Sequence, residues 1–378
     1  MTDAGTRTPA LERGFGVGAR LYLRPLAITG GSAARALVRS GDAVWLAGGP
    51  CAFSALEVSA RAPGGVRRAT GSVATVRRWA EGEDAASRAR FTTLWTALTS
   101  PRGPTAGLDW SRPRIMGIVN VTPDSFFDGG RFFGAAEAIE RGRAMRQAGA
   151  EILDVGGEST RPGAQPVAEP EEARRVVPVV EALAAGGLVS IDTRHADIMR
   201  AAIGAGAVAI NDVDALTGPD SLAAAAALAV PVVLMHCNAD PRTMQNAPVY
   251  SDVTLDVFDY LEARVAACVA AGIPRERIVV DPGIGFAKTA VHNAELLDAV
   301  AALHALGCPV LLGASRKSFI GKFSVGEAAD ARLPGSVAAA VWGASQGVQI
   351  VRVHDVAETA QALAVWARAT DPALLAAG

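Results

Sequence analysis

The sequence predicts an α/β protein, a (β/α)8 TIM barrel preceded by a small N-terminal extension or subdomain. From Arg114 onward, eight short apolar runs recur, each ending in glycines and chemically active polar residues. Stretches of helical composition, such as Ala135–Ala148 and Ala294–Ala305, lie between them. At 378 residues the chain holds a barrel of roughly 250 residues with material to spare. A strand buried on both faces reads as a continuous apolar run, and strands alternating with helices imply a parallel sheet. In such a barrel the polar groups at the strands' C-terminal ends form the active face.

Strand one, Ile115–Val119, runs into Asn120, and strand two, Ile152-Leu, runs into Asp154 and the segment Val155–Arg161. Strand three, Val189-Ser-Ile, reaches Asp192; strand four, Val208-Ala-Ile, reaches Asn211-Asp212; strand five, Val232–Met235, reaches His236. Strand six, Ile278-Val-Val, reaches Asp281, strand seven, Val310-Leu-Leu, reaches Gly313–Lys317, and strand eight, Val348–Val351, ends in Arg352-Val-His354-Asp355. Helix one runs from near Gly134 to Gln147 and stops at Gly149, helix two follows Pro170, and helix five covers roughly Thr254–Ala271. The connections Val121–Phe133 and Gly156–Ala168 exceed what a barrel needs, as lids and binding loops do.

A Pro/Gly-rich connector, Ser100–Gly107, marks a boundary. We divide the chain into residues 1–112, an extension folded from about residue 20, and residues 113–378, a catalytic barrel. Trp45, Trp79 and Trp95 argue for a folded segment. Residues 1–113 carry a net charge of +7 and the remainder −9, so the extension is expected to dock on the acidic barrel or on a partner subunit. Nucleic-acid binding is the rival reading of that charge, but no recognition motif supports it. No apolar stretch is long enough for a membrane helix, because Pro231 interrupts Leu222–Met235. The start lacks a signal-peptide core, and Cys51, Cys237, Cys268 and Cys308 have neither metal nor redox spacing. A cytoplasmic protein with free thiols is expected.

Asp192, Asn211 and Asp281 end three different strands. They serve either as caps of strand–helix turns or as an array for a ring bearing amidine-like N–H donors. Arg161, Arg352 and His354 suit a phosphate or diphosphate, unless they are a surface arginine and a satisfied core histidine. Asn120 offers a neutral oxygen to a hard cation such as Mg2+. Only three of the 36 basic residues are lysine, so Lys317 directly after Arg316 points to a need for a compact ammonium, with codon usage as the alternative.

Longer segments resemble a known family. Ile115-Met-Gly-Ile-Val-Asn-Val-Thr-Pro-Asp-Ser-Phe-Phe-Asp-Gly-Gly130 resembles the first signature of the dihydropteroate synthases, and Asp154–Gly163 resembles the second. Ser190–Thr193, Ile210–Asp212, Leu234–His236, Asp281–Phe286, Ser315–Ser318 and Arg352–Asp355 match in order and spacing, over about residues 113–370. The resemblance implies condensation of (7,8-dihydropterin-6-yl)methyl diphosphate with 4-aminobenzoate to 7,8-dihydropteroate and diphosphate, in a cytoplasmic homodimer that sulfonamides target. It assigns the pterin to Asp192, Asn211, Met235, Asp281, Gly285, Phe286, Lys317 and Arg352. Diphosphate falls to Arg161 and His354, and Mg2+ to Asn120. Thr160, Arg161, Pro162, Ser315 and Ser318 would border 4-aminobenzoate. Asp281, Lys317, Arg352 and Asp192 carry the catalytic role, and diphosphate departs first to leave a pterin cation.

Some positions depart from the family pattern. Ala287 stands where a second glycine is usual, Ile284 replaces a common Phe, and Cys237 follows His236 where Met is frequent. These bear on pocket shape rather than on ligating groups. A pterin-binding methyltransferase domain and a non-catalytic pterin-binding paralogue are the competing readings. Neither would need the Ser315–Ser318 segment, Asn120 and the Arg352/His354 pair together.

Overall fold

A computed structural model describes residues 11, 15–16, 19–62, 65–121, 131–158, 167–237 and 248–375. Four strands, β1 (Arg20–Gly30), β2 (Val44–Trp45), β3 (Cys51–Ala62) and β4 (Gly65–Ser72), form an antiparallel N-terminal sheet in which β3 pairs with the other three. Three helices accompany it: α1 (Gly31–Ser40), α2 (Val73–Glu81) and α3 (Ala85–Thr99). Asp84 caps α3 by accepting from the Ala86 and Ser87 amides, so its start is fixed locally.

Eight parallel strands follow: β5 (Arg114–Asn120), β6 (Ile152–Gly156), β7 (Leu188–Asp192), β8 (Ala209–Asp212), β9 (Val232–Met235), β10 (Ile278–Asp281), β11 (Leu311–Leu312) and β12 (Ile350–Val353). They pair in the order β10-β9-β8-β7-β6-β5-β12-β11, and a parallel bridge between Val280 and Val310 closes the ring. Helices α4 (Arg131–Gln147), α5 (Glu169–Ala184), α6 (Ala196–Gly204), α7 (Ser221–Leu228), α8 (Val253–Ala270), α9 (Ala290–Asp298), α10 (Ser318–Phe323), α11 (Leu333–Ser345) and α12 (Val356–Thr370) surround it. This is the (β/α)8 barrel that the eight apolar runs predicted. None of the described helices is long and apolar enough to cross a membrane.

One expected helix is broken. Ala294–Ala305 divides at Ala299, and the chain continues as a 3-10 turn over Val300–Leu306. Near the end of this turn two carbonyls accept from arginines: Arg102 donates to His304 O at 2.7 Å and Arg275 to Leu306 O at 2.6 Å. The whole turn is buried.

The N-terminal module docks on the barrel of its own chain. Asp252, Asp256, Asp259 and Glu262 are spaced four, three and three residues apart, which sets them on one face at and beyond the start of α8. Arg20 meets Asp259 at 2.8 Å and Glu262 at 2.7 Å, Arg61 pairs with Asp256, Arg68 with Asp252 and Arg90 with Glu262. Tyr22 donates to Asp259 at 2.8 Å. Partly exposed pairs of this kind contribute about 0–1 kcal/mol each. Burial supplies more, since Leu21, Leu23, Phe53, Leu94 and Leu98 share one continuous core with Phe258, Leu303 and Leu306. Phe258, edge-on to Tyr22 at 5.5 Å, joins the two parts. Phe258→Ala is expected to cost about 3–5 kcal/mol. Urea unfolding measures it, and a loss below 1 kcal/mol would mean that this junction contributes little.

Candidate active site

The site follows from strand periodicity. Met116, Ile152, Val233, Val279, Leu311 and Ile350 form a separate buried cluster inside the barrel, closed below by Trp110. Alternate residues of a strand share a face, so two or four positions further on, the same face presents a polar layer. Ile152 leads to Asp154, Val279 to Asp281, Ile350 to Arg352 and Val233 to Met235; Met116 leads through Ile118 to Asn120. On β7 the partly buried Leu188 leads through Ser190 to Asp192, and the register of β7 with β8 sets Asn211 beside Asp192.

Asp154, fully buried, is the hub of this layer. It accepts from Ser190 Oγ at 2.5 Å, Asn211 Nδ2 at 2.9 Å and Arg352 Nε at 2.6 Å. A second nitrogen of Arg352 donates to Asp192 at 2.6 Å. Burial opposes the Arg352 charge, but Asp154 and Asp192 together hold the guanidinium above its ordinary pKa. Burial raises the Asp192 carboxyl above the usual carboxylate range, against the pull of Arg352. The sequence offered Arg352 as an anion ligand. Instead its charge is matched by two carboxylates, and it faces into the polar layer.

Asp281, Lys317 and Arg352 converge around Gly313. A Cβ on that glycine would lie 3.6 Å from an Asp281 oxygen and 3.9 Å from Lys317 Nζ and Arg352 Cβ. Asp281 also accepts from the Gly283 amide at 2.7 Å, and burial raises its pKa against the opposing charge of Lys317. Lys317 is drawn inward: its Nζ donates to Ile284 O and lies 4.5 Å from the Phe286 ring centroid. Gly285 sits at φ +84, a backbone conformation that favours glycine, and a Cβ there would stand 2.9 Å from Lys317 Cδ. The slim aliphatic stem of lysine suits that passage. Burial lowers the Lys317 pKa to about 8, partly offset by Asp281. Ala287 adopts φ +48 where the family usually has glycine, a conformation that costs an L-residue roughly 1–2 kcal/mol.

Ser315 and His354 meet at the rim, with His354 Nδ1 3.0 Å from Ser315 Oγ. Burial, with Arg352 nearby, lowers the His354 pKa to about 3, so it offers a neutral imidazole near pH 7. Ser318 is exposed at the start of α10, and Asn120 is half-buried at the end of β5. Thr160, Arg161 and Pro162 lie outside the described residues. The neutral carboxamide of Asn120 would offer one oxygen ligand to a hard cation such as Mg2+. Among the described residues, Glu158, Glu172 and His195 form the one group of three with metal-type ligand atoms, and all are engaged. Glu158 meets Arg194 at 3.1 Å, while Glu172 accepts from Thr193 at 2.7 Å and lies 2.7 Å from His195 Nδ1.

Asp154 stands within a sequence motif that by itself assigns it no role. The signal was there, a carboxylate in the middle of the run Ile152–Gly156, whose every member is buried. Lys288 was missed too. Its Nζ lies 3.0 Å from His236 Nδ1 and donates to Phe286 O at 2.9 Å, which fastens the turn bearing Gly285 and Phe286. Burial lowers its pKa to about 7.

A closed barrel with carboxylates, a carboxamide and the Lys317 ammonium at its C-terminal mouth has the form of a (β/α)8 enzyme with a polar pocket on its active face. The family model of pterin binding enzymes matches residues 116–354. Dihydropteroate synthase of Escherichia coli K12 is 48% identical over 261 residues, covering 68% of this chain and 92% of that protein. The solved Xanthomonas albilineans dihydropteroate synthase with 4-aminobenzoic acid is 49% identical with a TM-score of 0.67, covering 71% of this chain and 97% of that one. A complex of the Xanthomonas enzyme with 7,8-dihydropteroate shows 46% identity and a TM-score of 0.64, over 70% and 97% of the two chains. The chain belongs to the dihydropteroate synthase family.

Asp154→Ala would leave Arg352 half-paired in a buried site, with a cost of about 3–5 kcal/mol expected in denaturant unfolding. A change below 1 kcal/mol would remove Asp154 as the hub. Because Lys317 loses its proton near pH 8, kcat/KM should fall as pH rises through about 8. A profile flat to pH 10 would show that its charge is not used.

Proposed function

We propose that this chain joins (7,8-dihydropterin-6-yl)methyl diphosphate to 4-aminobenzoate, giving 7,8-dihydropteroate and diphosphate in folate biosynthesis. The convergence of Asp281, Lys317 and Arg352 around Gly313, beside Asp192 and Asn211, carries the reading. Acceptors from Asp192, Asn211 and Asp281 suit the pterin's N–H groups, and Lys317 offers a donor to its ring acceptors. Met235, Gly285 and Phe286 border the ring, with Arg352 against it. Catalysis belongs to residues 113–378, and residues 1–112 form an accessory module.

The carbon–oxygen bond breaks first and its electron pair leaves with diphosphate. The cation left on the pterin methylene faces the carboxylate of Asp281. The amine nitrogen of 4-aminobenzoate then donates its lone pair to that carbon, and the proton it sheds passes to diphosphate or water. No activated side-chain nucleophile is needed, because the leaving group departs before the new bond forms. Neutral His354 donates a hydrogen bond to diphosphate and Arg161 supplies charge. Asn120 would hold Mg2+, which when bound supplies further neutralisation of diphosphate. Thr160, Pro162, Ser315 and Ser318 border the aminobenzoate.

Two features of the chain bear on its assembly and cellular context. Phe323, Val325 and Trp342, on and beside α10 and α11, are exposed and support a homodimer. Cys51, Cys268 and Cys308 are buried free thiols, which supports a reducing cytoplasm. Both readings belong with the enzyme function rather than carrying it.

Purified protein with both substrates and Mg2+ should release diphosphate and form dihydropteroate. Release without 4-aminobenzoate consumption, or none above background, would overturn the synthase reading in favour of a methyltransferase-like or non-catalytic pterin binder. Lys317→Ala should lower kcat by roughly 10²–10³ while the fold persists. Activity within twofold of the parent would contradict its role.

A further inference from the structure

The N-terminal sheet reaches the catalytic face. In a barrel the helix after each strand starts at that strand's C-terminal end, so the start of α8 lies beside the mouth. Here β3 and β4 present two arginines to it. Arg61 donates to Ser251 Oγ at 2.9 Å and pairs with Asp256. Arg68 pairs with Asp252, the N-cap of α8, which accepts from the Leu255 amide at 3.1 Å. Asp256 in turn accepts from the Ser251 amide at 2.8 Å. The two arginines thus grip both sides of the turn at residues 251–256.

The preceding residue continues the path into the site. Tyr250 donates to Ala287 O at 2.9 Å, and its ring lies 6.0 Å from that of His236. Ala287 holds a left-handed backbone, which needs outside support in a residue with a Cβ. Its neighbours Phe286 and Lys288 are the residues tied to Lys317 and His236. A cleft of about 460 Å³ lies between the sheet and this rim, lined by Tyr22, Glu57 and Arg68 on one side and by Tyr250, Ser251 and His292 on the other.

We propose that the N-terminal module positions the pterin loop: Arg61 and Arg68, acting through the 251–256 turn and Tyr250, hold residues 281–288 in the conformation that binds the dihydropterin. The assignment rests on the pterin reading of that loop. Arg61 and Arg68 are positioning residues and touch no substrate. Their ion pairs are partly exposed and add little to stability, so their removal frees the turn without unfolding the module.

The test uses the full chain, with Arg61→Ala/Arg68→Ala, the matching double lysine variant, Tyr250→Phe, and the alanine pair combined with Tyr250→Phe. Two readouts are taken: steady-state constants for each substrate, and hydrogen–deuterium exchange of the peptide spanning 281–288 without substrate. The alanine pair should raise KM for the dihydropterin diphosphate about fivefold or more, with kcat and KM for 4-aminobenzoate within twofold. Exchange of the loop should quicken, and the lysine pair should restore much of both. Because the arginines act through Tyr250, adding the alanine pair to Tyr250→Phe should change little further. An alanine pair that leaves both pterin KM and loop exchange unchanged overturns the proposal, as does full additivity with Tyr250→Phe. If the parent protein makes no dihydropteroate, the functional reading fails, and loop exchange alone still decides the positioning role. If the alanine pair does not fold, Tyr250→Phe and the lysine pair decide it by the same readouts.

Discussion

The Arg352 guanidinium held between Asp154 and Asp192 is the interaction on which the rest of the mouth depends. Two carboxylates that close in a buried layer would repel, and one cation between them turns that repulsion into a fixed frame. With Asp154 oriented by Arg352, Ser190 and Asn211, the Asn211 carboxamide is turned in a defined direction. With one Asp192 oxygen held by Arg352, its other oxygen remains for a ligand. The acceptors are therefore pre-aligned, and binding need not order them.

The same frame divides the site by charge. Asp281 faces Lys317 on one side of Gly313, while Arg352 has its charge already matched on the other. An anion entering at the rim meets neutral His354 and Ser315 rather than this inner arginine. Positive charge that develops on a bound ring meets the carboxylates, and negative charge that departs meets the rim. That separation is what a reaction proceeding through a cation requires.

Much of this was legible in the sequence. The eight strands and the polar residue ending each were readable because a doubly buried strand leaves a local signature in composition. Asp192, Asn211 and Asp281 could be named as candidates for the same reason, and Lys317 because lysine is scarce in this chain. The Ala294–Ala305 stretch is not legible to its end because Val300–Leu306 is a wholly buried 3-10 turn, and tertiary burial leaves no mark in helical composition. Asp154 passed without a role because its importance lies in its partners. The acids at 252, 256, 259 and 262 have a readable helical spacing, but their meaning came only with the arginines that face them.

By itself the sequence determined the fold class, the order of the strands and the inventory of reactive groups, since periodicity and residue type are carried by neighbours along the chain. Only the tertiary structure decided which groups pair. Arg352 meets Asp154 and Asp192 across 198 and 160 residues, and Arg61 meets Asp256 across 195. Partners that distant leave no local pattern. They are chosen by barrel closure, by the inward face each strand inherits from its register, and by the docking of the N-terminal sheet on α8.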